Sequence, residues 1–362
     1  MRQFWIWPIA LYLFLGGLGG GMMCFAMVLG CFVAPSAISS GALVFGVFIA
    51  FMCLLVGTAL LVFELGQPLV FYRAFVTKTA VIKWGAVVLS ISMIFGFLFI
   101  LWEISWFSFF PFIPYEGFAR FCLIPAGIAG CCVMVYTGVL LSSMKSRPFW
   151  NTPALPILFT VSALSTGAAL LSMCVGVWPF PAEWLIADCT SVQFAVVGNE
   201  FREILHVADR VLIISEIVVL LLFVMLQFCA SNNMAKRVAD RWVRGSWAFY
   251  FWGLLLGCGL VVPLLLNLAG GVAAEFASPV IALLGGCLLR FMIVWSYERR
   301  LGPGEEKYHT RLPKGANPHA TGRDDFMDYW QEGRKYWEEV NAASEDEIST
   351  VASTPAQEGA AG

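Results

Sequence analysis

The chain has 362 residues, of which 59% are hydrophobic and 13% charged, with a mean hydropathy of +0.79. A soluble domain carries about 45–50% apolar and about 25% charged residues, and a disordered chain is poor in apolar residues, so neither class fits. The net charge of −2 divides unevenly: residues 1–297 hold 14 Lys+Arg and 11 Asp+Glu, a net of +3, and residues 298–362 hold 8 and 13, a net of −5.

A membrane-crossing helix needs about 20 mostly apolar residues. Eight runs qualify, at 8–33, 41–63, 82–101, 121–143, 154–178, 207–229, 247–270 and 279–297. The expected fold is therefore an all-α, eight-helix membrane bundle over residues 1–297, followed by a polar tail over 298–362. The first run follows Arg2 and is too long for the 7–15-residue core of a signal peptide, so it reads as a retained helix. It contains GGLGGG (16–21), whose small-xxx-small pairs Gly16/Gly20 and Gly17/Gly21 let another helix approach closely. This is not a nucleotide loop, because the G-x-G-x-x-G spacing and a preceding strand are missing.

Eight spans put both termini on one side. Fifteen Lys and Arg fall on that side, counting the early tail, and only Arg120 and Arg202 on the other. The bias predicts cytoplasmic termini. The opposite side carries the longest connections, roughly 102–120 and 179–206, rich in aromatics and Pro. They read either as an aromatic belt or as a docking surface for a partner. In the tail, Phe326, Tyr329, Trp330, Trp337 and Val340 give an amphipathic stretch over 323–340, and the acidic end beyond Ala343 reads as disordered.

Cysteine and histidine usage narrows the chemistry. There are 11 Cys but no C-x-x-C, and most lie in apolar runs where Cys acts as a small hydrophobe. No iron–sulfur cluster is expected in this chain. The three His are His206, His309 and His319, the last two in the tail, so a haem held by two His within the bundle is excluded.

Ionisable residues inside spans are rare, and each marks a candidate site. The sixth span holds His206, Asp209, Arg210 and Glu216 at or near its start, and the eighth holds Arg290. Positions 206, 209, 213 and 216 share one helix face. Glu216 should sit about 10 Å deeper than Asp209, at 1.5 Å per residue, and at a depth similar to Arg290. Glu216 and Arg290 read either as a bundle-fixing charge pair or as part of a proton path. His206 and Asp209, near the outer interface, suit a site where a substrate gives up or takes protons. Ser162, Ser165 and Thr166 in SALSTG (162–167) read as interhelical hydrogen-bond donors.

Four stretches resemble the polysulfide reductase membrane-subunit, or NrfD-like, family: ALYLFLGGLGGG (10–21), ELGQPLVFYRAF…IKWGA (64–86), YTGVLLSSMKSRPFWNTPALPILFTVSALSTG (136–167) and LLGGCLLRFMIVW (283–295). The third is the most specific, with RPFWNTP followed by SALSTG. The resemblance implies the quinone-handling anchor of a molybdopterin and iron–sulfur oxidoreductase, with eight helices and no haem. It implies bound menaquinone or ubiquinone, a four-cluster ferredoxin-like iron–sulfur subunit docked on the outer side, a molybdopterin-type catalytic subunit, anaerobic respiration and a multi-pass location in the bacterial inner membrane. No nucleic-acid partner is expected. In the family's quinone site a tyrosine of the fourth span matches Tyr136, and an acid of the sixth matches Asp209. That site also uses polar residues of the first span, including a His; here residues 8–33 hold no His and no Asn, and Tyr12 is the only sizeable polar side chain. The likeness and the depth count disagree on Tyr136, which by counting lies about 22 Å along its helix from residue 121.

The expected activity is thus electron exchange between the quinone pool and a docked iron–sulfur subunit, with Asp209 and His206 handling protons and Tyr136 contributing to the pocket. The alternative is a secondary transporter built on the Glu216/Arg290 site, since transporters place ionisable residues near the midplane.

Overall fold

The computed structural model describes residues 7–33, 38, 41–64, 81–103, 115–144, 147, 149–176, 191–230 and 233–296. Among them, eight helices are long and apolar enough to cross a membrane: Trp7–Val33, Gly41–Val62, Lys83–Glu103, Gly117–Ser142, Ala154–Cys174, Glu203–Cys229, Phe249–Ala269 and Phe276–Trp295. They correspond one to one with the eight apolar runs, and no strand occurs among the described residues. Most of both long connections (104–114 and 177–190) and the whole tail with its amphipathic stretch lie outside the described residues.

The main differences from the sequence reading lie at helix ends. The sixth span is the later part of a helix that begins at Ser191, and the fourth belongs to one that begins at Tyr115. Polar residues such as Asn199, Glu200 and Arg202 end the apolar run, but they do not end helical hydrogen bonding, so apolar length undercounts helix length. A short helix, Asn233–Val243, also escaped the sequence reading. It buries Ala235, Val238, Ala239 and Trp242 and exposes Lys236 and Arg237. The seventh span opens as a π-helix, Phe249–Val261, and continues as the α-helix Val262–Ala269. Gly270 and Gly271 then turn the chain into the eighth span with φ of 69° and 101°, a region open to glycine.

Contacts between spans fix the up-and-down order. Tyr12, Gly20 and Met27 of the first span meet Tyr136, Gly130 and Gly127 of the fourth, so these two run antiparallel. Gly17 and Gly21 meet Ala163 and Gly167 of the fifth, which runs parallel to the first. Spans one, three, five and seven run one way, and the even-numbered spans run back. The bundle thus has a terminal end, where Trp7 and Trp295 lie, and a distal end.

The first span is central and packs on the second, fourth, fifth and eighth. Glycine permits this. A Cβ added to Gly20 would stand 2.6 Å from the Gly130 carbonyl oxygen, and one added to Gly21 would overlap the Ala163 carbonyl oxygen. Without a hydrophobic force between helices in lipid, association rests on van der Waals packing, interhelical hydrogen bonds and lipid entropy, and close backbone approach serves the first of these. The buried apolar residues form two clusters. One includes Leu18, Ala168 and Leu205, and the other Leu13, Phe159 and Leu289. On the fifth span the clusters are separated by Ser162, Ser165 and Thr166, all buried.

Candidate functional site

The sixth span is inverted relative to a soluble helix. Val207, Val211, Ile214, Val218, Leu222 and Met225 are exposed, while Leu205, Asp209, Ile213, Glu216, Leu220 and Gln227 are buried. Both stripes recur at three- and four-residue spacing, so they are opposite faces of one helix. Lipid solvates the apolar stripe, and the polar one turns into the bundle. Asp209 and Glu216 are each 2% exposed and Arg290 is 0% exposed, so all three depend on protein partners.

Those partners come from three other spans. Nearest the distal end, the half-buried His206 has Nε2 3.4 Å from Ser172 Oγ of the fifth span. One turn deeper, Asn267 Nδ2 of the seventh span donates to Asp209 Oδ2 at 2.7 Å. Asn267 lies in the last turn of the helix Val262–Ala269, just before Gly270 and Gly271. The other oxygen, Asp209 Oδ1, is buried without a hydrogen-bond partner. Ser165 stands beside both Asp209 and Glu216, and the two carboxyls are near enough for their charges to interact.

About 10 Å further along the sixth helix, at 1.5 Å per residue, comes the second level. Arg290 Nη1 donates to Ser162 Oγ and to the Gly286 carbonyl (3.3 Å), and Nη2 donates to the Phe159 carbonyl at 3.1 Å. Its guanidinium lies 4.9 Å from the Phe159 ring centroid. Ser162 also stands beside the Glu216 carboxyl. A serine hydroxyl, able to accept from one group and donate to another, therefore links the acid to the base. Gly17 of the first span borders this level, and a Cβ there would lie 3.6 Å from Arg290 Nη2, an ordinary contact, and 3.2 Å from Ala163 Cβ.

Tyr136 does not join Asp209. It is buried beside Tyr12 and rests on the Gly85 backbone of the third span, where any Cβ would overlap its ring. Spans four and six run in the same direction. Tyr136 lies 19 residues past Gly117, and Asp209 only six past Glu203, a depth difference of about 20 Å at 1.5 Å per residue. Tyr12 is only five residues from Gly17, about 8 Å by the same rise, so the tyrosine pair extends the polar series toward the terminal end. His206, Asp209, Glu216, Arg290 and Tyr136 thus form levels of one polar column and not a single pocket. Among the described residues, no three or more His, Cys, Asp and Glu gather as a metal site needs.

Two members were missed from the sequence. Ser172 looks like any small polar residue in an apolar run. Asn267 had a signal: it is the one amide in VVPLLLNLAGG (261–271), directly before the glycine turn.

The family model "Polysulphide reductase, NrfD" matches residues 1–297. The sequence is 27% identical over 322 residues to Protein NrfD of Escherichia coli (strain K12), covering 81% of this chain and 94% of that protein. It is 28% identical over 316 residues to the C subunit of the polysulfide reductase of Wolinella succinogenes, covering 82% and 95%. The Protein NrfD homolog of Haemophilus influenzae is 26% identical over 319 residues, covering 81% and 94%.

Proposed function

The protein belongs to the NrfD polysulphide reductase family, and from that premise we propose that it is the quinol-binding membrane anchor of an oxidoreductase. In this reading an iron–sulfur subunit docks at the distal end, on the periplasmic side, and a catalytic subunit of molybdopterin type completes the complex. Fifteen Lys and Arg against two support a cytoplasmic terminal end. Reporter fusions after Lys145 and Arg244 should read cytoplasmic, and fusions within 105–118 periplasmic. A periplasmic readout at Arg244 would overturn this orientation.

One observation carries the site: Asp209 is held at Oδ2 by Asn267, while its buried Oδ1 makes no hydrogen bond although the Ser165 hydroxyl stands beside the carboxyl. A buried acceptor without a donor is rare and calls for an explanation. A quinol hydroxyl is a donor of the fitting kind, and bound quinol supplies two electrons and two protons. Asp209 takes a proton at Oδ1 while Asn267 keeps the carboxyl oriented. His206, half-buried nearer the distal end, takes or passes on a second. Glu216, Ser162 and Ser165 continue the polar column inward and give protons an alternative to the distal exit. Membership in a family that includes a polysulfide reductase subunit supports this reading over a transporter.

The test is quinol-dependent reduction of the partner's clusters, in membranes with equal subunit levels. Asp209→Asn keeps shape and hydrogen-bonding capacity but removes the proton acceptor. It should slow turnover about 100-fold or more, the usual scale for a general base. Unchanged turnover in both Asp209→Asn and His206→Gln rejects the site.

A further inference from the structure

The first and fourth spans meet at a second feature that the quinol reading does not use. Gly20 and Gly130 bring the two backbones together: a Cβ on Gly130 would lie 2.8 Å from the Gly20 carbonyl oxygen and 3.0 Å from Met23 Cβ. Cys24 lies one turn beyond Gly20, and Cys131 directly follows Gly130. Their sulfurs are 3.0 Å apart, across 107 residues of sequence. A disulfide has an S–S length of about 2.05 Å, so a shift of about 1 Å separates this contact from a bond.

We propose that Cys24 and Cys131 form an intramembrane dithiol that closes to a disulfide, cross-linking the first and fourth spans, when a lipid-soluble disulfide oxidant reaches it. Both thiols are half-buried and not sealed in the core. On the same stretch of the fourth span, Phe121, Ile128 and Cys132 are exposed, so the oxidant arrives through lipid. The chemistry is thiol–disulfide exchange. One cysteine sulfur, losing its proton, attacks the oxidant's S–S bond and forms a mixed disulfide, releasing one oxidant thiol. The second cysteine sulfur, already in contact, attacks the first, forms the Cys24–Cys131 bond and releases a second oxidant thiol. The two cysteines lose two electrons and two protons, and both appear on the two released thiols. An isolated cysteine such as Cys132 performs only the first step. The close contact is what makes the pair different.

The probe is 4,4′-dithiodipyridine, applied to the purified full-length protein in detergent. Remaining thiols are then capped with N-ethylmaleimide under denaturing conditions, and the digest is mapped by mass spectrometry. The expected result is a peptide pair joined through Cys24 and Cys131, restored to two capped thiols by dithiothreitol. Cys24→Ser should leave Cys131 carrying a pyridylthio group, and Cys131→Ser should leave Cys24 so marked. The wild-type map needs no variant to fold. Any other state of the wild-type pair overturns the proposal, whether capped free thiols, two separate pyridylthio adducts or bonds to other cysteines.

Discussion

The first and sixth spans have similar apolar length and opposite designs. The first carries no charge and is buried on nearly every side, with glycines letting three other backbones come close. The sixth shows lipid a stripe of Val, Ile, Leu and Met, and turns Asp209 and Glu216 inward. Shape holds the first span, and polar chemistry sets the orientation of the sixth. The first span borders the polar column through Gly17, where a Cβ would come within 3.6 Å of Arg290 Nη2 of the eighth. Any substitution can therefore be sorted by whether it adds volume to the first design or removes polarity from the second.

The largest effect should come from adding volume. Gly21→Val would place a branched carbon on the Ala163 carbonyl oxygen, with Gly167 Cα close behind. These are backbone atoms and cannot rotate away. Overpacking costs about 1–3 kcal/mol where side chains can yield, and the upper end or more is expected here. Folded protein recovered in mild detergent should fall sharply. Gly17→Ala meets side-chain atoms alone, Ala163 Cβ at 3.2 Å and Arg290 Nη2 at an ordinary 3.6 Å, and should be milder. Val211→Ala, on the lipid face, should change recovery little. Equal recovery for Gly21→Val and Val211→Ala would erase the contrast between the two spans.

Much of this was legible in sequence, for stated reasons. Lipid forces about 20 apolar residues per span, so the eight spans stand out. Ionisable residues are scarce there, so Asp209, Glu216 and Arg290 stand out as well. Partners did not. Asn267 lies 58 residues from Asp209, and Ser162 lies 128 from Arg290. Counting 1.5 Å per residue gives depth but not helix rotation, so it could not say which fifth-span residue stands between Glu216 and Arg290. The same count separated Tyr136 from Asp209, as the geometry does. Helix ends beyond the apolar runs, at Ser191 and Tyr115, were hidden because hydropathy reports the bilayer edge and not the backbone.

A smaller effect is expected from removing polarity in the middle of the column. Glu216→Gln leaves the Arg290 charge with Ser162 and two carbonyls. Losing one partner of a direct buried charge pair costs about 3–5 kcal/mol, and linkage through a serine should bring this case below that range. The double change Glu216→Gln with Arg290→Gln should be less damaging than the sum of the singles by about 1 kcal/mol or more. Thermal unfolding in detergent reads both quantities. Additive losses would mean that the acid and the base stand independently, and the column would lose its middle link.

The smallest effect concerns a second orphan acceptor, and it tests whether an orphan alone marks a site. Gln227, also on the buried face of the sixth span, donates from Nε2 to the Phe149 carbonyl at 2.8 Å, while its Oε1 is buried without a partner. It lies 18 residues beyond Asp209, about 27 Å along the helix and near the terminal end. Phe149 belongs to the RPFWNTP turn, where Trp150 Nε1 also donates to the Ile293 carbonyl at 2.8 Å, so the surroundings tie helix ends together. Gln227→Leu conserves approximate volume. It removes a hydrogen bond worth about 1 kcal/mol, and it also removes an unsatisfied acceptor whose burial costs about 1–3 kcal/mol. The two terms oppose, so stability should stay within about 1 kcal/mol of wild type and quinol-dependent turnover should be unchanged. Asp209→Asn should show the reverse pattern, with stability kept and turnover lost. If Gln227→Leu slowed turnover as much as Asp209→Asn, the orphan oxygen would no longer distinguish a proton acceptor from a structural amide, and the distal placement of the quinol site would lose its main support.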